Sequence, residues 1–112
     1  MPSDDRVTTN LRKGVLEFCV LARIASGDAY GFELARELQA DGLIAGEGSL
    51  YPLLARLRTG GLVDTRTEES TSGRPRKYYR LTPAGHAQLA AFRAAWVPLR
   101  DAVDHAMGER DD

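Results

Sequence analysis

The chain has 112 residues, enough for one domain with a modest core, and 43% of them are hydrophobic, as in ordinary globular proteins. Its formal net charge of −1 argues against a uniformly basic nucleic-acid binder. Cys19 is the only cysteine, which excludes an intrachain disulfide and fits a reducing cytoplasm. No apolar run approaches the ~18–20 residues of a membrane span, and the polar N-terminus lacks the apolar segment of a signal peptide.

Charge is distributed unevenly along the chain. Between Arg56 and Arg80 there are seven basic and three acidic side chains, whereas from Leu81 to the end there are three basic and five acidic ones. A local basic stretch, rather than the net charge, is what a surface that contacts phosphates requires.

The first part of the chain predicts a flexible arm at residues 1–9 followed by two helices. The first helix is predicted from about Asn10, a plausible N-cap, to Ala25, with apolar residues on more than one side. The second is predicted from near Asp28, as its cap, to about Ala40. The apolar residues expected on the inner face of this second helix are Phe32, Leu34, Ala35 and Leu38.

A third helix is predicted from about Ser49, as N-cap, to Thr59, after a glycine-rich turn at residues 42–48. The turn is not followed by Lys-Ser or Lys-Thr, which excludes a nucleotide-binding P-loop. Four leucines at i, i+3, i+4 and i+7 define the inner face of the helix: Leu50, Leu53, Leu54 and Leu57. The remaining surface presents Ser49, Tyr51, Pro52, Arg56 and Arg58.

A two-stranded hairpin is predicted next, from Leu62 to about Glu68 and from Arg76 to Leu81, with a tip at residues 70–75. The basic side chains at this tip are Arg74, Arg76 and Lys77, around Pro75. Thr82 as N-cap and Pro83 at the first helical position then begin a last helix, followed by an acidic tail at residues 108–112.

The last helix carries an apolar seam with heptad spacing, formed by Leu89, Phe92, Trp96, Leu99 and Val103. Pro98 is predicted to kink this helix or to divide it into two shorter ones. A helix of this length spans about 35–40 Å, more than a three-helix head can cover. The seam therefore predicts contact with a second copy of the chain.

This order of elements predicts a winged helix-turn-helix domain, mostly α with a small β-hairpin wing, plus a C-terminal dimerisation helix. Helix three of such a domain enters the major groove of DNA. Its small residues near Ser49 allow close approach to base edges, and Arg56 can reach a phosphate or a guanine. Each pattern alone also occurs in proteins with no role in DNA binding, and only their conjunction indicates DNA.

Three motifs give the sequence a resemblance to the PadR family of bacterial transcriptional regulators over about residues 10–90. They are Tyr30-Gly31-Phe32-Glu33-Leu34, Gly48-Ser49-Leu50-Tyr51-Pro52-Leu53-Leu54 and Gly73-Arg74-Pro75-Arg76-Lys77-Tyr78-Tyr79-Arg80-Leu81-Thr82. The resemblance, closest to the short subfamily with one C-terminal helix, implies a dimeric repressor that binds palindromic operators and responds to small, often aromatic, compounds. The residues expected to contact DNA are Tyr30, Gly48, Ser49, Tyr51, Pro52, Arg56, Arg74, Arg76 and Lys77. Ala29 stands where family members commonly have a histidine. A DNA contact by that histidine side chain is therefore not expected in this chain.

Trp96, the only tryptophan, lies in the middle of the seam. It can serve as an interface anchor, or it can flank, with its symmetry mate, a cavity for a flat aromatic ligand. His86 and His105 have no Cys or carboxylate partner at metal-ligand spacing, and no Ser-His-Asp arrangement is visible. No enzymatic activity, cofactor or metal site is therefore predicted.

Two alternatives to a PadR-type repressor stay open. One is a winged-helix module that uses helix three and the wing to bind another protein. The other is a regulator of the MarR type, whose dimer contact would draw on both chain ends and would need more than the short N-terminal arm here.

Overall fold

The computed structural model describes residues 5–69 and 73–108. Within these ranges the chain forms four helices and a small antiparallel sheet, which confirms the mostly helical prediction with a β wing. The elements are α1 (Asp5–Ala25), β1 (Ala29–Tyr30), α2 (Gly31–Ala40), a 3₁₀ turn (Glu47–Ser49), α3 (Leu50–Thr59), β2 (Val63–Glu68), β3 (Arg76–Leu81) and α4 (Pro83–Met107).

Helix α1 begins earlier than its sequence indicates. It starts at Asp5, so Asn10 lies inside the helix and its prediction as the N-cap was wrong. Residues 5–9, assigned to a flexible arm, are helical. They include only one apolar side chain, Val7, so the helical period is not visible there. Residues 1–4 of the predicted arm and residues 109–112 of the predicted acidic tail lie outside the described residues.

A short strand that the sequence did not predict precedes α2. Ala29 pairs with Tyr79 and Tyr30 pairs with Tyr78, so β1 is antiparallel to β3. The sheet has three strands in the order β1-β3-β2 instead of a hairpin alone. A strand of two residues has no period of its own and depends on its partner strand, which sequence spacing does not report.

The residues predicted to form the first turn of α2 belong to β1 instead. Helix α2 therefore begins only at Gly31. Tyr30 holds the N-cap position and makes no side-chain cap hydrogen bond. The prediction that Asp28 caps this helix was wrong: its carboxylate instead accepts a hydrogen bond from Arg66 Nε at 3.0 Å. The loop before α2 is thereby joined to the wing, which we define as β2, β3 and the tip between them.

The core lies among α1, α2, α3 and one face of the sheet. The four leucines of α3 are at most 4% exposed, as predicted from their spacing. Tyr79 from β3 and Leu89 from α4 also belong to this core. Phe32 was wrongly predicted to join it, because this side chain is 45% exposed on the outer surface of α2.

Helix α4 starts as its sequence predicts. Thr82 is the N-cap, its Oγ1 accepts a hydrogen bond from Gly85 N at 3.0 Å, and Pro83 is the first helical residue. The helix continues through Pro98 to Met107, so it does not divide into two elements there. No helix in residues 5–69 and 73–108, α4 included, is long and apolar enough to cross a membrane.

Candidate nucleic-acid interface

Helix α3 has a buried leucine face and an outward face that is polar and exposed. The residues of the outward face and of the turn that leads into it are Gly48, Ser49, Tyr51, Pro52 and Arg56, and all five are exposed. Ser49 occupies the N-cap position, as predicted, but its side chain makes no cap hydrogen bond. The structure therefore places the five predicted DNA-contacting residues of this segment together on one accessible surface.

Tyr51 is held by neighbouring elements although its ring is 41% exposed. A Cβ atom at Gly31 would lie 3.4 Å from Cε1 of both Tyr51 and Tyr79, so these two rings converge on the first residue of α2. Burial, with a smaller contribution from Glu47, raises the pKa of Tyr51 above its ordinary value. The phenol is therefore protonated at neutral pH and can donate a hydrogen bond.

The basic residues of the wing are exposed but divide between its two faces. Arg76 lies opposite Glu68 and Lys77 lies opposite Thr67. Because side chains alternate along a strand, Arg76 shares the face of Tyr78, whereas Lys77 shares the face of Tyr79. Arg76 and Lys77, two of the three predicted wing contacts, therefore lie on opposite faces of the strand. The tip residues 70–72 lie outside the described residues.

On the Tyr78 face, four side chains form a compact group that we call the aromatic–arginine cluster: Tyr30, Arg66, Arg76 and Tyr78. Tyr30, Tyr78 and Arg66 lie in one row across the three strands. The Tyr30 and Tyr78 ring centroids are 5.6 Å apart. The Arg66 guanidinium carbon lies 4.8 Å from the Tyr78 centroid, and that of Arg76 lies 5.0 Å from the Tyr30 centroid. The half-buried Tyr30, a predicted DNA contact, is thus partly covered by Arg76.

The two arginines of this cluster have different partners. Arg66 Nε lies 3.0 Å from a carboxylate oxygen of Asp28, and Arg66 Nη1 lies 3.1 Å from one of Glu68, so Arg66 forms ion pairs with two carboxylates. A side-chain hydrogen bond with Tyr78 raises the pKa of Arg76, and Glu33 acts on it electrostatically in the same direction. Sequence reasoning missed the cluster because Tyr30 comes from β1, an unpredicted strand that is distant in the chain from the hairpin of β2 and β3.

The apolar seam of α4 is only partly available to a second subunit. Leu89 is 2% exposed within a single chain, so its assignment to a dimer contact was wrong; it belongs to the domain core. Phe92 is half-buried and stacks on Phe18 of α1, with centroids 4.4 Å apart. Exposure then rises along the helix, to 37% at Trp96 and 58% at Leu99.

A largely apolar groove of about 310 Å³ lies between α1 and α4 beside this seam. Trp96 stands at its edge, with its ring centroid 5.6 Å from that of Phe92. The groove is lined by Gly14, Val15, Phe18, Gln88, Ala91, Phe92, Ala95, Trp96 and Leu99. The predicted ligand-binding tryptophan therefore does border a concave surface, and α1 supplies its other wall.

Sites for other chemistry are not apparent in the described ranges. No group of three or more His, Cys, Asp or Glu side chains there could hold a metal ion. Cys19 is half-buried, and this burial raises the pKa of its thiol, which disfavours the reactive thiolate.

Comparison with known proteins identifies the origin of this architecture. The model of the Transcriptional regulator PadR-like family matches residues 20–91, from the second half of α1 to the first part of α4. The chain belongs to the PadR-like family. A transcriptional regulator of Mycobacterium tuberculosis is 34% identical over 84 residues, which cover 75% of this chain and 78% of that protein.

Solved structures of other family members share the fold of this PadR-like chain. A PadR-like regulator from Bacillus cereus matches with a TM-score of 0.79 at 36% identity. The match covers 88% of this chain and 96% of the Bacillus cereus chain. A PadR family regulator from Eggerthella lenta has a TM-score of 0.81 at 33% identity, with coverage of 95% and 93%. The PadR-like transcription factor from Bacteroides fragilis has a TM-score of 0.74 at 40% identity, with coverage of 90% and 98%.

Membership of this family confirms the resemblance seen in the sequence motifs and the winged-helix architecture. The chain is a PadR-like transcriptional regulator, a type of protein that acts on DNA and is not an enzyme. The alternative of a MarR-type regulator is thereby set aside.

Proposed function

We propose that this PadR-like regulator is a homodimeric repressor that binds a palindromic operator and leaves it when a small aromatic ligand binds. The proposal rests mainly on the outward face of α3, where Ser49, Tyr51 and Arg56 are exposed beside a basic wing. The leucines on its opposite face are buried and fix the helix to the core.

The residues on the outward face of α3 suit different kinds of contact with a duplex. Small groups at Gly48 and Ser49 allow the start of the helix to approach base edges, and Pro52 adds a flat apolar surface. Tyr51 can donate a hydrogen bond, and Arg56 can reach a guanine or a phosphate. Because Arg76 and Lys77 lie on opposite faces of the wing, we assign them separate phosphate contacts, with Arg74 nearer the tip.

The exposure of the α4 seam supports the proposed dimer. Trp96, Leu99 and Val103 are 37%, 58% and 49% exposed, a continuous apolar stripe on a helix of 25 residues. A second copy related by a two-fold axis would cover this stripe. Such a dimer suits a palindromic site, in which its two α3 helices would lie roughly 34 Å apart, about one turn of DNA.

The effector site is assigned to the groove between α1 and α4. Its lining is largely apolar, and its volume of about 310 Å³ suits a small flat molecule. Trp96 borders both this groove and the proposed subunit contact. A ligand that stacks on Trp96 would therefore alter the spacing of the two α3 helices, which is how its binding would release the operator.

A gel-shift experiment with the duplex upstream of the protein's own gene tests the proposal. We expect a discrete complex of one dimer per palindrome that survives an excess of random duplex. A panel of aromatic compounds should include one that dissolves the complex and shifts the fluorescence of Trp96, the only tryptophan. Loss of the complex to random competitor would contradict specific binding. Release of the operator with unchanged tryptophan fluorescence would contradict the assigned ligand site.

A further inference from the structure

The aromatic–arginine cluster presents one guanidinium in a fixed place between the wing and the start of α2. Arg76 extends beyond the end of the two-residue strand β1 and lies over the Tyr30 ring, 5.0 Å from its centroid. Tyr30 is itself held by Tyr78, its direct partner across the strands, at 5.6 Å. Two rings from two strands therefore define the position of the Arg76 side chain, which is long and would otherwise be flexible.

The neighbouring charges leave this position suited to an anion. Arg66 binds both Glu68, the residue opposite Arg76 across the strands, and Asp28, which lies toward the other end of the sheet. Glu33 is close enough to act on Arg76, yet Arg76 is exposed and carries its charge at the junction of wing and helix. In a helix-turn-helix protein the helix before the recognition helix crosses the DNA backbone, so α2 should run beside phosphates.

We propose that Tyr30 and Tyr78 are positioning residues that hold the Arg76 guanidinium against a phosphate of the DNA backbone. The proposal rests on DNA binding by this surface, and it revises the sequence-based expectation that Tyr30 itself is the contact. An arginine fixed by ring stacking loses less side-chain entropy on binding than a freely moving one. Tyr30 and Arg76 should therefore act as a unit, whereas Lys77, on the opposite face of the wing, should act independently.

A double-mutant cycle on random duplex DNA tests this unit. Tyr30→Leu removes the ring and Arg76→Gln removes the charge, and binding is measured by fluorescence anisotropy at several salt concentrations. Each single variant should bind roughly three- to tenfold more weakly. Each should also lower the salt slope, which is the steepness with which the logarithm of the binding constant falls with the logarithm of salt concentration, by about one. The double variant should be little weaker than Arg76→Gln alone, because the stacked ring has then lost its cation. Tyr30→Phe, which keeps the ring, should bind nearly as well as the wild type.

Lys77→Gln is the matched control, since it removes a charge from the same strand on the other face. Combined with Tyr30→Leu, its effect should be additive. The proposal is overturned if Tyr30→Leu and Arg76→Gln are additive, if the slope is unchanged in Tyr30→Leu, or if Tyr30→Phe is as weak as Tyr30→Leu. A merely structural role of Tyr30 would lower the melting temperature without removing one unit of salt slope.

A second variant covers the case in which Tyr30→Leu does not fold. Tyr78→Phe removes the hydroxyl whose hydrogen bond raises the pKa of Arg76, and it keeps the ring packed against Tyr30. It should weaken binding about two- to threefold in the wild type and hardly at all in Arg76→Gln, and additivity would overturn the proposal. Failure of the proposed function is a separate result. A wild-type protein that binds random duplex and its upstream duplex equally would contradict a sequence-specific repressor and leave the cycle on random DNA intact.

Discussion

Gly85 in α4 lies so close to the Leu62 carbonyl oxygen that a methyl group at Gly85 would overlap it. The same carbonyl accepts a hydrogen bond from Thr82 N at 3.1 Å. Thr82 Oγ1 in turn donates to Gly61 O at 2.6 Å and accepts from Gly85 N at 3.0 Å. The first turn of the proposed dimer helix is thus fixed directly onto the turn that ends α3.

This contact predicts that Gly85→Ala destabilises the fold by roughly 1–3 kcal/mol, since the added Cβ must displace backbone atoms rather than a movable side chain. Urea unfolding followed by circular dichroism measures the loss. Gly48→Ala is the control, because a Cβ at Gly48 would meet no atom within 4 Å. A free energy of unfolding that is equal in the two variants would contradict the close packing of α4 on Leu62.

Two substitutions separate base recognition from phosphate contact. Tyr51→Ala should weaken binding mainly to the operator, by about tenfold, because Tyr51 is on the outward face of α3. Lys77→Ala should weaken binding to all sequences and reduce the salt slope by about one. Anisotropy titrations with operator and random duplex distinguish the two effects. Equal losses on both duplexes in both variants would contradict these roles.

The dimer is predicted to depend on the exposed part of the α4 seam. Leu99→Glu should place a charge in the apolar contact and give a monomer at micromolar concentration, as measured by light scattering. Ala94→Glu, an exposed position on the opposite side of α4, should leave the dimer intact. A monomeric wild-type protein, or a dimeric Leu99→Glu variant, would contradict the assignment.

Stability should fall at high pH through the buried tyrosine Tyr79. Burial, partly opposed by Arg58, raises the pKa of Tyr79 above the ordinary value of about 10. Below that value the phenol is protonated in both the folded and the unfolded chain, and stability is complete. Above it the unfolded chain ionises first, so the free energy of unfolding falls until the pH passes the folded pKa.

Tyr79→Phe removes this ionisation. Its free energy of unfolding should therefore fall less between about pH 9 and about pH 11 than that of the wild type. Urea unfolding at a series of pH values measures the difference, and absorbance at alkaline pH follows phenol ionisation directly. Parallel curves for the two proteins would show that Tyr79 does not contribute to the alkaline loss.

The features that sequence predicted well depend on local chemistry. Thr82 and Pro83 mark the start of α4 because an N-cap hydroxyl and a proline at the first position both stabilise that turn. The leucines of α3 reveal its buried face by their spacing alone.

The features that sequence missed depend on contacts between distant segments. The strand at Ala29 and Tyr30 exists only through its pairing with β3. Leu89 continues the spacing of the seam and is nevertheless core, because the domain covers the first turns of α4 but not the later ones. The alternation of Arg76 and Lys77 was readable from the strand period, whereas the contact of Arg76 with Tyr30 required the third strand.

The dependence of duplex affinity on salt concentration is the most direct measure of DNA binding by α3 and the wing. The logarithm of the binding constant for the upstream duplex and for a random duplex is measured against the logarithm of potassium chloride concentration. We predict tighter binding to the upstream duplex and a steep decline for both, with about 0.9 units of slope for each phosphate contacted. Weak binding to both duplexes with little change across the salt range would contradict a DNA-binding surface formed by α3 and the wing.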